Sequence, residues 1–323
     1  MISFAYGTRG VTSLRLGLAF AGMALVVMTI LAISPAWSQT QDRALYVWKL
    51  VPKLENPEVL LSISKRARVQ HLFLSLSRGV LEKSKKLVSL LERARGAGLK
   101  AHAVLSENSW ALSANRGAGL SRIRKILAWN RTLDRSVRLA GIHLDVEVHA
   151  LPRFKRAKHT RKEDSGALAV IQDLLKQWLD WTQAVVNLAR KEKPPLEVSV
   201  AVPHWFLKPG SPYQVSWGGQ ERAATHHLMR MVDEVVVMAY SMKPSGIARL
   251  AAEEMALAAR PGMARVRVAV SVSHRGPADT SLFQGGRDTL EKALAAIHKT
   301  YADARGFSGT AIHMFEGLRL MGE

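Results

Sequence analysis

The chain contains no cysteine. That excludes disulfide staples, thiolate nucleophiles and thiolate zinc sites. Stability must come from an ordinary apolar core, which residues 39–323 are numerous enough to build as one domain. Also missing are a G-x-S-x-G serine elbow, an H-E-x-x-H zinc helix and a glycine-rich phosphate loop after the first apolar strand. Acid is scarce: 26 Asp and Glu stand against 46 Lys and Arg, a formal charge of +20. Such a balance is expected to draw anionic partners. No recognisable nucleic-acid module accompanies it, so no nucleic-acid partner is expected.

Long apolar runs are absent beyond the first forty residues. Within them, Arg9 and Arg15 precede a charge-free stretch from Leu16 to Ser34, which Pro35 ends. Ala36-Trp37-Ser38 then places small residues at the −3 and −1 positions of a cleavage site. Residues 1–38 therefore read as a signal peptide and the rest of the chain as exported, periplasmic or extracellular. The run approaches the ~20 residues that span a bilayer, so an uncleaved N-terminal anchor is the alternative.

Residues 39–323 alternate between β-rich apolar runs and helical stretches. The runs are Ala44–Leu50, His71–Ser77, Lys100–Leu105, Gly141–His149, Leu196–Val202, Glu234–Ser241, Val266–Ser273 and Gly309–Phe315. Helical patterns between them include Leu81–Ala97, Ile171–Lys193, Ala223–Val232, Ile247–Ala259 and Asp288–Arg305, several closed by Gly or Pro. Eight strand–helix alternations in this length predict a single α/β domain folded as a (β/α)8 TIM barrel. The basic stretch Arg153–Lys162 is expected to be a loop on the catalytic face of that barrel.

The fourth strand carries the ionisable groups. Side chains alternate along a strand, so His143, Asp145 and Glu147 share one face and Ile142, Leu144 and Val146 the other. Two carboxylates about 6.7 Å apart in Cα spacing are costly to bury unless they are hydrogen-bonded or share a proton. That cost points to a general acid with an orienting neighbour. A purely structural pair that anchors loop cations is the alternative.

Gly141-Ile142-His143-Leu144-Asp145-Val146-Glu147 resembles the fourth-strand signature of family 18 glycoside hydrolases, the chitinase family, which ends in Asp-x-Glu. Met238-Ala239-Tyr240 resembles that family's Met-x-Tyr segment on the sixth strand. The resemblance implies that Glu147 protonates the leaving oxygen. It further implies that Asp145 and Tyr240 hold a substrate 2-acetamido group as it attacks the anomeric carbon. The chain departs from the pattern at His143 and Ala140, where the family has acids, and at Ser241, where it has Asp. Phe315 stands where the family places a tryptophan as the floor of the sugar bed.

Aromatic residues fit a sugar site. Trp48 ends the first strand, Trp110 follows the third, and His204, Trp205 and Phe206 follow the fifth. Rings at strand ends stack on pyranose faces, whereas Trp129, Trp178 and Trp181 fall in helices and are expected to pack. Glu107 and Glu316 are further carboxylates near strand ends, although strand phase disfavours Glu316. The substrate-binding set is thus Trp48, Glu107, His143, His204, Trp205, Phe315 and Glu316. No metal or cofactor is expected. The partner expected is a polysaccharide, an acidic one in keeping with the basic stretch, with membrane contact only through the N-terminal segment. A non-catalytic carbohydrate-binding barrel and a structural envelope protein are the competing readings.

Overall fold

The structure, a computed structural model, describes residues 42–77, 79–160, 165–207 and 213–322. The signal-peptide reading of residues 1–38 lies outside them. Eight parallel strands close a barrel: β1 Arg43–Val47, β2 His71–Ser75, β3 Lys100–Leu105, β4 Gly141–Leu144, β5 Glu197–Pro203, β6 Glu234–Met238, β7 Arg265–Ser271 and β8 Phe307–His313. Each pairs with its sequence neighbours, and β8 returns to β1, so the expected (β/α)8 architecture is present. A short antiparallel hairpin, Gln214–Trp217 with Gln220–Ala223, inserts after β5.

The alternation of side chains divides the interior in two. Leu45, Val47, Leu72, Leu74, Ile142, Leu144, Val198 and Val200 point outward and are buried under the helices. Each such side chain contributes roughly 1.5–3 kcal/mol of burial. The helices meet them with apolar stripes. In Ser84–Gly96, Leu87, Leu90, Leu91 and Ala94 are buried at helical spacing. Inside the barrel, Ala44, Tyr46, Phe73, Val104, Val236, Ala269 and Ala311 form a second, smaller cluster. The barrel is thus filled rather than hollow.

The N-terminal end of the barrel is polar. Arg267 donates to Glu234 at 3.0 Å and to Asp42 at 2.7 Å. Asp42 lies 3.1 Å from His71 Nε2, and His71 Nδ1 lies 3.0 Å from His102 Nε2. Gly141 opens β4 beside this network. A Cβ there would meet the Glu197 carbonyl oxygen at 2.6 Å and His102 Nδ1 at 2.8 Å. Only glycine leaves room for the imidazole.

Several elements end away from their sequence pattern, and three of the differences bear on the architecture. The pattern Ile247–Ala259 is two helices, Pro244–Leu250 and Ala252–Ala258, because Ala251 leaves helical dihedrals. The basic stretch is not a loop in its described part: Pro152–His159 is a helix with Pro in its first turn and Phe154 buried. Arg161 and Lys162 lie outside the described residues. Strand β4 stops at Leu144 rather than His149, and Val148–Ala150 coil into a 3-10 turn.

Candidate active site

The C-terminal mouth of the barrel is organised by what happens after β4. The Asp145 amide still donates to Leu105 on β3, at 2.8 Å. Past it, β3 has ended, and β5 runs on to Pro203 without pairing with this segment. The Glu147 amide instead donates to the Asn108 side-chain oxygen at 2.7 Å. Val146 and Val148 remain fully buried while Asp145 and Glu147 stay partly accessible. The strand's alternation therefore outlives its ladder and keeps both carboxyls on one side.

Burial comes first in their electrostatics. It pushes Asp145 from the usual aspartate range to about 8, and the Glu147 charge adds to the effect. Burial raises Glu147 as well, partly offset by the Lys155 charge. Among the described residues no donor hydrogen-bonds the Asp145 carboxyl. Two adjacent carboxyls that both resist ionisation hold at least one proton between them at neutral pH. Such a pair has a proton to give, which is what a general acid needs.

Aromatic groups line the same end. The Trp48 indole donates to His313 Nε2 at 3.0 Å and stacks on Tyr46, with centroids 5.9 Å apart. Tyr240 stacks on His313 at 5.7 Å, and burial followed by the charges of Asp145 and Glu147 pushes its phenol well above its ordinary value. Trp48, Tyr240 and Met314 all pack on the inner cluster. Burial lowers His313 to about 4, so it is neutral and free to accept from Trp48. The structure thus gathers Trp48, Asp145, Glu147 and Tyr240 in one mouth, with His313 among them.

Other expected residues sit elsewhere. His143 is fully buried below the mouth, 2.8 Å from both the Tyr46 hydroxyl and Ser199 Oγ, and cannot touch a substrate. Burial, with the charge of Arg267, lowers it to about 3, so it stays neutral. Phe315 is 4% exposed and begins the helix Phe315–Leu320, packed in the outer core against Leu-rich helices instead of flooring the mouth. Glu316 pairs with Lys53 at 2.6 Å. Starting a helix at Phe315 breaks the strand alternation that would have turned its ring inward.

Glu107 is exposed and caps the 3-10 turn Asn108–Ala111 by accepting from the Ser109 amide. It lines a groove of about 590 Å³ with Ser75, Trp110 and Arg122. Trp110 leans on Trp181, ring centroids 6.5 Å apart, and belongs to the outer core. His204 and Trp205 lie in the turn after β5. Trp205 meets His149 at 5.5 Å, and the Lys158 ammonium lies 4.0 Å from its ring centroid. His149 in turn reaches Glu147 at 3.7 Å.

Three contributors escaped sequence reasoning. Tyr46 was detectable, because it alternates with Ala44 on β1 and with Trp48 just past its end. Asn108 and His149 act through turns whose positions no strand pattern fixes. Lys158 belongs to the basic stretch expected on this face, but it sits on a helix rather than a loop. Among the described residues, no group of three His, Asp or Glu side chains converges as a metal site requires.

No protein-family model and no curated protein matches the chain. Solved structures do. A β-glucosidase from Thermotoga maritima in complex with deoxynojirimycin aligns at a TM-score of 0.51 and 11% identity, over 81% of this chain and 77% of the other. The same enzyme in complex with azafagomine aligns at a TM-score of 0.51 and 10% identity, with the same coverage. At that identity the likeness is one of fold: this chain is built on the same (β/α)8 barrel plan as those enzymes.

Proposed function

We propose that this barrel is a glycoside hydrolase of family 18-like type, exported from the cytoplasm and acting on an extracellular or cell-envelope polysaccharide. Glu147 gives its proton to the glycosidic oxygen as the bond to the anomeric carbon breaks. Asp145, sharing the proton with Glu147, orients the 2-acetamido group whose carbonyl oxygen attacks that carbon, and Tyr240 backs the same group. Water then opens the cyclic intermediate, and the Glu147 carboxylate takes back a proton from it.

One observation carries the reading. Two adjacent carboxyls beyond the end of β4, both held above the ordinary carboxylate range, sit in an aromatic mouth with Trp48 and Tyr240. Structural acids are normally paired with cations, as Glu234 is with Arg267; Asp145 has no such partner among the described residues. The export part of the proposal is supported by the sequence of residues 1–38.

The replacement of a family acid by the sealed, neutral His143 favours a second reading, a barrel that binds glycan without cleaving it. Turnover of chitooligosaccharides, peptidoglycan fragments and uronate-containing oligosaccharides decides between the two. Hydrolysis by the wild type that drops ~10²–10⁴-fold in Glu147→Gln supports the proposal. Equal hydrolysis by both proteins removes Glu147 from the chemistry. Saturable binding without turnover establishes the second reading.

A further inference from the structure

The helix Pro152–His159 divides the basic stretch into two faces. Residues three apart in a helix share a face, so Lys155 and Lys158 lie together, and Arg153 and Arg156 lie together on another. Arg153 is already paired with Asp173 at 3.3 Å. Among the described residues no carboxylate lies within salt-bridge distance of Lys155 or Lys158. Phe154, buried against Phe206 and Tyr213, pins the helix to the loop after β5.

Lys158 reaches the mouth, and Lys155, one helical turn earlier, shares its side of the helix. The Lys158 ammonium sits 4.0 Å from the Trp205 ring centroid, and that ring is 5.5 Å from His149. His149 Nε2 is 3.7 Å from Glu147. The charges of Lys158 and Lys155 are felt at His149, and that of Lys155 at Glu147. A cation over the indole takes up the face that a neutral sugar would stack on. Trp205 therefore serves as the seat of Lys158 rather than as a sugar platform.

We propose that Lys155 and Lys158 form an anion subsite beside Glu147, which takes the carboxylate or phosphate substituent of an acidic glycan. The inference rests on the reading of this mouth as the place where glycan enters. A neutral chain gains nothing from the two ammonium groups, and a polycationic one is repelled. An anionic substituent, by contrast, is held next to the acid that would cleave its neighbouring linkage.

The test uses the full chain carrying Glu147→Gln, so that binding is read without turnover. Titration calorimetry with tetragalacturonate, a glycerol-phosphate oligomer and neutral cellotetraose separates carboxylate, phosphate and uncharged ligands. At least one anionic probe is expected to bind at least ~10-fold more tightly than cellotetraose, and to lose that advantage from roughly 50 to 500 mM salt. Lys155→Ala with Lys158→Ala is expected to abolish the preference. Trp205→Leu, which unseats Lys158, should weaken the anionic probe alone. Arg153→Ala with Arg156→Ala is the control, removing equal charge from the other face, and should cost less than 3-fold.

The subsite is overturned if neither anionic probe outbinds cellotetraose, or if the arginine pair matters as much as the lysine pair. Selective anion binding without turnover in the wild type would leave the subsite standing and remove the hydrolase. Turnover without anion preference would do the reverse.

Discussion

The Tyr46 hydroxyl and His143 Nε2 lie 2.8 Å apart in the closed interior of the barrel, directly below the acid pair. His143 Nδ1 continues the chain to Ser199 Oγ at 2.8 Å, and the imidazole stacks on Phe73 with centroids 4.4 Å apart. His143 is therefore a satisfied core group. His143→Phe keeps the stack but strands two buried hydroxyls, each costing about 1–3 kcal/mol. Urea unfolding should show a loss of about 2–6 kcal/mol, while glycan binding per folded molecule stays unchanged. Lost binding at unchanged stability would put His143 in contact with substrate after all.

Asp145 should make the protein less stable as pH rises. Its folded value, about 8, lies above the ordinary 3.8. Between those values the unfolded chain has released a proton that the folded chain retains, so the stabilisation present at low pH is lost as pH climbs towards 8. Asp145→Asn removes the effect. The variant should gain on the order of a few kcal/mol over wild type above about pH 8 and nothing below pH 3.8, read from melting curves across pH. Hydrolysis by the wild type should fall over the same alkaline range as the pair gives up its proton. A pH-independent difference between the two proteins would mean an ionised Asp145.

Acid should act in the opposite sense, through histidines. Burial holds His143 at about 3 and both His149 and His313 at about 4, below the ordinary 6.5. Below 6.5 the unfolded chain binds protons that the folded chain refuses, so stability is lost as pH falls from there towards 3. With Asp145 working against the alkaline side, stability should peak near pH 6.5. Denaturant midpoints from about pH 4 to 9 check this. A plateau that persists to pH 4.5 would show that these imidazoles protonate in the folded state.

At the other end of the barrel, Arg267 is a shared partner for Glu234 and Asp42. Arg267→Ala leaves a carboxylate buried without its cation, and breaking such a pair costs about 3–5 kcal/mol. Arg267→Met together with Glu234→Leu removes both charges and should recover most of the loss. Chemical denaturation of the three proteins gives the comparison; an Arg267→Ala variant as stable as wild type would show the network to be hydrated.

Much of the barrel was legible because each strand, flanked on both faces by protein, reads as a compact apolar run. The acid pair was legible because alternation along β4 is a local property. What failed was non-local. The end of β4 is set by Asn108, which takes the Glu147 amide from another loop. The helix Pro152–His159 has a single core residue, Phe154, and its docking partners Phe206 and Tyr213 lie some fifty residues away, so no apolar period announces it. Phe315 was misplaced because strand phase says nothing about where a helix begins.

The most direct test of Glu147 as the proton donor varies the leaving group. A linkage whose leaving group has a high pKa needs protonation, whereas a dinitrophenyl glycoside departs without help. On substrates that share one glycone, Glu147→Gln should lose ~10²–10⁴-fold in kcat/KM on the natural linkage and less than ~10-fold on the dinitrophenyl glycoside. An equal loss on both substrates, or none on either, would contradict the assignment of Glu147 as general acid.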